Sequence, residues 1–177
     1  MSDRKKIFFY YLVNFLTFLR IIIAFIVAIL IFYGLRLTAF IFFLVGVATD
    51  LLDGDLARRF DVTSKLGEIT DPLADASLIY SAIIPIFILN EFSFFIKIGI
   101  VIATLFFLIL VVESTIKNKR FTLPRRKAGT TINSYFIYTT LAFYIINSPH
   151  KNLIAYLTCL ILALTAFGYF TNHKKIK

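Results

Sequence analysis

Six runs of roughly twenty mostly apolar residues, divided by short polar turns, limit what this chain can become. They cover approximately 8–33, 38–57, 72–90, 93–116, 130–147 and 152–171. A bilayer's hydrocarbon core is ~30 Å thick, and a helix of ~20 residues crosses it. Of the 177 residues, 59% are hydrophobic, against roughly 45–50% in a soluble domain. A water-facing surface cannot be built from that inventory, so the bilayer is the expected solvent. The expectation is an all-α integral membrane protein, a bundle of six transmembrane helices. The sequence contains no repeat, no low-complexity stretch and no long linker, so residues 1–177 read as one membrane domain. The first run follows Arg4, Lys5 and Lys6, is too long for a signal peptide and precedes no small-residue cleavage site. It reads as a retained first span.

The basic residues orient the bundle. With both termini cytoplasmic, the N-terminus, 58–71, 117–129 and the C-terminus lie inside. These segments hold fifteen Lys and Arg residues, whereas the outside turns hold only Arg36, Lys97 and Lys151. That is the positive-inside pattern, and it requires an even number of spans. The net charge of +9 therefore marks contact with anionic membrane lipids and not with nucleic acid. Trp is absent, so an interfacial belt rests on Tyr, Phe and basic residues. The single cysteine, Cys159, excludes an internal disulfide and reads as a small buried or lipid-facing residue. His150 and His173 flank apolar ends and read as interfacial residues, not metal ligands.

Acidic residues are concentrated in one place. Of ten in the chain, Asp50, Asp53, Asp55, Asp61, Glu68, Asp71 and Asp75 fall within 26 positions, from the end of the second run to the start of the third. One carboxylate inside a membrane helix costs roughly 2.5–3.5 kcal/mol on insertion scales, so several together need a compensating partner. Asp50 and Asp53 are three apart and Asp71 and Asp75 four apart, so each pair shares a helix face. The faces of two neighbouring helices can meet near headgroup depth on the cytoplasmic side. Four converging carboxylates repel one another unless cations intervene. Oxygen ligands without His or Cys favour hard ions such as Mg²⁺, Mn²⁺ or Ca²⁺. Two such ions can clamp a diphosphate, which is a phosphoryl-transfer constellation. Gly54, Ala57 and Gly67 beside the acids serve close helix packing or open room for a nucleotide. Asp55, Asp61 and Glu68 read as exposed loop residues.

Residues 50–75 read Asp50-x2-Asp53-Gly54-x2-Ala57-Arg58-x8-Gly67-x3-Asp71-x3-Asp75. At every fixed position this resembles the signature of the CDP-alcohol phosphotransferases, a family of six-helix membrane enzymes. The resemblance implies transfer of a phosphatidyl group from CDP-diacylglycerol to a small alcohol, with release of CMP. It implies that Asp50, Asp53, Asp71 and Asp75 line a site for two Mg²⁺ or Mn²⁺ ions, and that Asp75 is the general base on the acceptor hydroxyl. Asp50, Asp53, Gly54, Ala57, Arg58, Gly67 and Asp71 would lie along the CDP moiety. A homodimer in the bacterial inner membrane, with its active site facing the cytoplasm, follows from the same resemblance.

Asn14, Thr17 and Arg20 share one face of the first run and match an Asn-x2-Thr-x2-Arg pattern of bacterial members. Arg20 needs a partner at that depth, either an aspartate or a substrate phosphate. Lys127-x2-Thr130-Thr131-x-Asn133 resembles a stretch of phosphatidylglycerophosphate synthases. Arg125, Arg126, Lys127 and Thr131 are thus the candidates for binding the acceptor, with glycerol 3-phosphate the preferred alcohol. Val13, Ala76 and Val112 stand where those synthases usually carry Pro, Lys and a basic residue. Phosphatidylglycerol, inositol phosphate and serine therefore stay open as alternative acceptors. Intramembrane carboxylates also mark ion pathways. A divalent-cation transporter, however, usually places its site at the midplane between repeated halves, and no duplicated half is seen here. A purely structural membrane protein has no use for four clustered acids.

Overall fold

The computed structural model describes residues 3–60, 67–118 and 128–174, and every regular element among them is a helix. The six are α1 (Asp3–Phe32), α2 (Arg36–Phe60), α3 (Gly67–Ile88), α4 (Phe94–Asn118), α5 (Ala128–Ile145) and α6 (Lys151–Lys174). Each coincides with one apolar run of the sequence. The helices extend past several runs because backbone hydrogen bonding is indifferent to side-chain polarity. Asp55 therefore belongs to α2 and Glu68 to α3, which corrects their reading as loop residues; Asp61 lies outside the described residues. α3 begins five residues before Pro72, so Asp71 and Asp75 sit one turn apart on one continuous helix.

Three helices stop at residues that tolerate left-handed backbone. Gly34 (φ 73°), Asn90 (φ 60°) and Asn147 (φ 53°) follow α1, α3 and α5. After α1, Gly34 N–H bonds the Ile31 carbonyl and Leu35 N–H that of Leu30; after α5, Asn147 and Ser148 repeat the arrangement on Tyr144 and Phe143. These paired bonds satisfy carbonyls that a helix end otherwise leaves open.

The chain forms two compact units, Met1–Leu89 and Asn90–Lys177. In the first, α1 packs along both α2 and α3, which touch each other little among the described residues. Two neighbour pairs fix the directions. Arg20 meets Asp50 and Ile23 adjoins Gly46, so α1 and α2 run antiparallel. Thr17 meets Asp71 and Arg20 meets Asp75, so α1 and α3 run parallel.

α1 carries two stripes at alternating four- and three-residue spacing. Val13, Thr17, Arg20, Ala24, Val27 and Ile31 are buried, whereas Tyr11, Phe15, Phe18, Ile22, Phe25, Ile29 and Phe32 are exposed. The exposed stripe is the more apolar of the two, the reverse of a water-soluble helix. Over Phe9–Phe32 this helix is long and apolar enough to cross a membrane; Leu73–Ile88, Phe94–Leu105 and Lys151–Thr165 are shorter apolar helices. Among the described residues α1 alone reaches that length.

In the second unit, α5 and α6 are joined by side-chain hydrogen bonds: Asn133 to Thr165 (3.0 Å), Thr140 with Thr158 (2.6 Å) and Tyr144 to Asn152 (2.7 Å). Numbers rise on α5 as they fall on α6, so the pair is antiparallel. Beside it, the Phe92 and Tyr144 rings meet at a 52° tilt with centroids 4.5 Å apart, and Gly99 of α4 lies against Cys159 of α6.

Candidate active site

The candidate site lies in the first unit, where α1 supplies the partners and α2 and α3 the carboxylates. Arg20 is fully buried, and its Nη1 donates to Asp75 Oδ1 at 2.6 Å while lying 3.2 Å from Asp50 Oδ1. Two carboxylates from different helices therefore converge on one nitrogen atom. One turn away, the Thr17 hydroxyl lies 3.1 Å from Asp71 Oδ1 and 3.1 Å from the Val13 carbonyl. Its single proton serves one acceptor at a time. Thr17 is 1% exposed, and the Asp75 and Asp50 side chains keep 8% and 14%. Asp50 is thus the more accessible of the two carboxylates.

Local sequence explains the assembly. A three-residue step on α1, from Thr17 to Arg20, matches the four-residue step on α3 from Asp71 to Asp75, because i+3 and i+4 both stay on one helix face. Small residues let the helices approach: Ala39 and Gly46 on α2 and Ala74 on α3 lie in the packed faces. Thr49 folds its hydroxyl back on the Gly46 carbonyl at 2.7 Å, which satisfies it without drawing on the carboxylates. Fully buried charge is tolerated only where it is paired and hydrogen-bonded; Arg20 is paired through Nη1, while its buried Nε makes no hydrogen bond among the described residues.

Of the residues singled out from the sequence, Asp50 and Asp75 meet at Arg20, and Asp71 lies against Thr17 one turn away. Asp53, Gly54, Ala57 and Arg58 lie on the last turns of α2, Gly67 opens α3, and Thr131 is in α5. Their surroundings, together with Arg125, Arg126 and Lys127, lie outside the described residues. Arg20 contacts aspartates, Asp75 and Asp50, which is one of the two kinds of partner expected for it. Thr17 as a donor to Asp71 was signalled in the sequence only through the Asn14, Thr17 and Arg20 face and the pattern that face matches. Asn14 donates to the Tyr10 carbonyl of its own helix at 3.0 Å.

A family model described as CDP-alcohol phosphatidyltransferase matches residues 10–167. The chain belongs to that family. The match runs from α1 into α6 and takes in Arg20, Thr17 and all four signature aspartates. Individual relatives align over shorter stretches. A probable phosphatidylglycerophosphate synthase of Mycobacterium tuberculosis is 32% identical over 93 residues, 49% of this chain and 44% of that protein. A CDP-diacylglycerol–glycerol-3-phosphate 3-phosphatidyltransferase of Haemophilus influenzae is 39% identical over 66 residues, 37% of this chain and 35% of that protein. A Schizosaccharomyces pombe cardiolipin synthase (CMP-forming)/mitochondrial hydrolase fusion protein is 46% identical over 65 residues, 37% of this chain and 11% of that protein. The aligned segments thus span less than half the length of each of these relatives.

Among the described residues no group of three or more His, Cys, Asp or Glu side chains is placed to hold a metal ion, so the match to the divalent ions expected from the sequence rests on donor chemistry alone. The described carboxylates are hard oxygen donors, and Thr17 adds a hydroxyl; His and Cys take no part. Such donors match Mg²⁺ or Mn²⁺ better than softer metals.

Proposed function

We propose that this chain transfers the phosphatidyl group of CDP-diacylglycerol to an alcohol and releases CMP, with glycerol 3-phosphate as the acceptor. The observation that carries the reading is the convergence of Asp50, Asp71 and Asp75, three members of one spaced signature, on two polar side chains of α1. The acceptor choice is supported by relatives named as phosphatidylglycerophosphate synthase and glycerol-3-phosphate phosphatidyltransferase. The Lys127-x2-Thr130-Thr131 stretch supports it further.

In this mechanism the acceptor oxygen forms a bond to the lipid-linked phosphorus as the bond from that phosphorus to the CMP oxygen breaks. Asp75 takes the acceptor's hydroxyl proton, the task of a general base within hydrogen-bond reach. Arg20 holds Asp75 in place through the 2.6 Å contact. Asp50, Asp53, Asp71 and Asp75 would hold two Mg²⁺ or Mn²⁺ ions. When bound, these would supply electrostatic neutralisation of the diphosphate. Gly54, Ala57, Arg58 and Gly67 would border the CDP moiety, and Arg125, Arg126, Lys127 and Thr131 the acceptor's phosphate, where guanidinium forks suit phosphate oxygens.

The setting we infer is a single membrane domain of six spans over residues 1–177, with both termini and the site on the cytoplasmic side of a bacterial inner membrane. The outward apolar stripe of α1 and the positive-inside bias of the turns support it. Exposed apolar side chains along α4, from Phe94 to Val112, fit contact with lipid or with a second copy in a homodimer. The test is CMP release from CDP-diacylglycerol by protein purified in detergent. Glycerol 3-phosphate, inositol 1-phosphate, serine and phosphatidylglycerol would be offered singly with Mg²⁺ or Mn²⁺, alongside an Asp75→Asn control. Release with glycerol 3-phosphate alone, absent in the control, is the expected result. Release with a different alcohol would overturn the acceptor, and no release with any would overturn the activity.

A further inference from the structure

Arg20 has no place in the 50–75 signature, yet its guanidinium lies within bonding distance of two signature carboxylates. It is fully buried, on a helix whose neighbouring inward residues Val13, Thr17, Ala24 and Val27 are also buried. This charge offsets those of Asp50 on α2 and Asp75 on α3. The same charge then opposes any divalent cation that approaches Asp50 and Asp75, both by repulsion and by occupying the oxygens such an ion would use.

We propose that Arg20 is a resident counter-ion that holds the carboxylate site together before metal arrives and weakens metal binding once it does. It is a positioning residue, acting through Asp50 and Asp75. The consequence is a site that folds without metal and binds it reversibly, as suits a centre that must admit and release a charged nucleotide at each turnover. This inference rests on the proposed metal-binding role of the aspartates and concerns how strongly they bind.

The test needs no catalysis. Wild type, Arg20→Lys, Arg20→Met and Arg20→Gln would be purified in one detergent. Mn²⁺ binding would be followed by loss of the free-ion paramagnetic resonance signal, and thermal unfolding by circular dichroism with and without Mn²⁺. Unit charges a few ångströms apart interact by several RT at an effective dielectric near 20, so the neutral variants should bind Mn²⁺ about tenfold more tightly or better. They should also unfold at lower temperature than wild type without metal, and show a larger Mn²⁺-induced rise in Tm, since a ligand stabilises in proportion to ln(1 + [L]/Kd). Arg20→Lys keeps the charge and should stay within about threefold of wild type in Mn²⁺ affinity.

Neutral variants that bind Mn²⁺ as wild type does, or more weakly, overturn the proposal. So does an Arg20→Lys variant that tightens as much as they do, because charge is then not the cause. If the neutral variants fold only when Mn²⁺ is present, the ion is replacing the guanidinium and the proposal holds. If they fail to fold even with Mn²⁺ while Arg20→Lys folds, a metal cannot stand in for Arg20 and the proposal falls. Wild type that binds no Mn²⁺ would instead remove the metal-site reading itself, a failure distinct from those of the Arg20 variants.

Discussion

Placing a methyl group at Gly46 puts a Cβ 2.8 Å from Leu78 Cδ1, 3.0 Å from Leu78 Cδ2 and 3.3 Å from Ile23 Cγ2. Gly46 of α2 thus lies against side chains of both α1 and α3, one turn from Asp50. Leu78 is completely buried, so its methyl groups cannot swing aside into lipid. Overpacking of this kind costs typically ~1–3 kcal/mol, and alanine returns about 1 kcal/mol through its better helix propensity. Gly46→Ala should therefore destabilise by about 0–2 kcal/mol. Gly46→Val gains less propensity and adds two more carbons to the same gap, so it should cost about 3 kcal/mol or more. Leu78→Ala alone opens a cavity, and large-to-small changes cost roughly 2–5 kcal/mol in soluble cores; in a bilayer only the packing part of that persists. In the double variant the new Cβ enters the space Leu78 vacates, so the two changes should couple favourably by about 1 kcal/mol. The assay is thermal unfolding in one detergent for wild type, each single variant and the double. Gly46→Val as stable as wild type, or strictly additive Gly46 and Leu78 effects, would refute the close approach of the three helices.

Thr17→Val removes the hydroxyl facing Asp71 while keeping shape, and should slow CMP release by about tenfold, equal to ~1.4 kcal/mol. Thr17→Ser should restore most of the rate, and a Thr17→Val enzyme with an unchanged rate would sink a role for the contact. On the other unit, a double-mutant cycle of Thr140→Val and Thr158→Val should give a coupling of about 0.6 kcal/mol and no more than ~1.7 kcal/mol, the range for interhelical hydrogen bonds in bilayers. Zero coupling in thermal unfolding would count against the 2.6 Å contact. Chelation of divalent ions should abolish CMP release, and Mg²⁺ or Mn²⁺ should restore it; full activity in chelator would dismiss the metal requirement.

Helix positions were legible because a long apolar run leaves the backbone little alternative to satisfying its own hydrogen bonds. Helix ends were less so. The apolar pattern starts the third helix at Pro72, whereas the backbone starts it at Gly67, since polar residues 67–71 extend a helix as readily as apolar ones. The carboxylate pairs were legible from their i+3 and i+4 spacing, which any helix turns into a shared face. What spacing within α2 and α3 could not give was the element between them. The expectation was a direct meeting of two acidic faces, and α1 in fact supplies the groups on which those faces converge. Arg20 announced that it needed a partner by its depth in an apolar run. Which partner it takes is a tertiary fact, settled by the parallel run of α1 with α3 and its antiparallel run with α2.

Fold and chemistry meet in the same few contacts, and that governs how substitutions at the site must be read. Arg20 ties α1 to α2 through Asp50 and to α3 through Asp75. Removing one partner of a buried ion pair costs roughly 3–5 kcal/mol, because the other charge is left without compensation. Asp75→Asn thus weakens the junction of α1 with α3 as well as removing the proposed base. Lost activity in that variant speaks for catalysis only if the protein still unfolds near the wild-type temperature. Asp50 is a gentler probe: its contact to Arg20 is longer and its side chain wetter, so its charge is better screened by solvent. If the aspartates act mainly through bound metal, Asp50→Asn should lose Mn²⁺ affinity with little loss of metal-free stability, whereas Asp75→Asn should lose both. Equal losses of stability in the two variants would mean that the junction, not the wetness of the pocket, sets the cost.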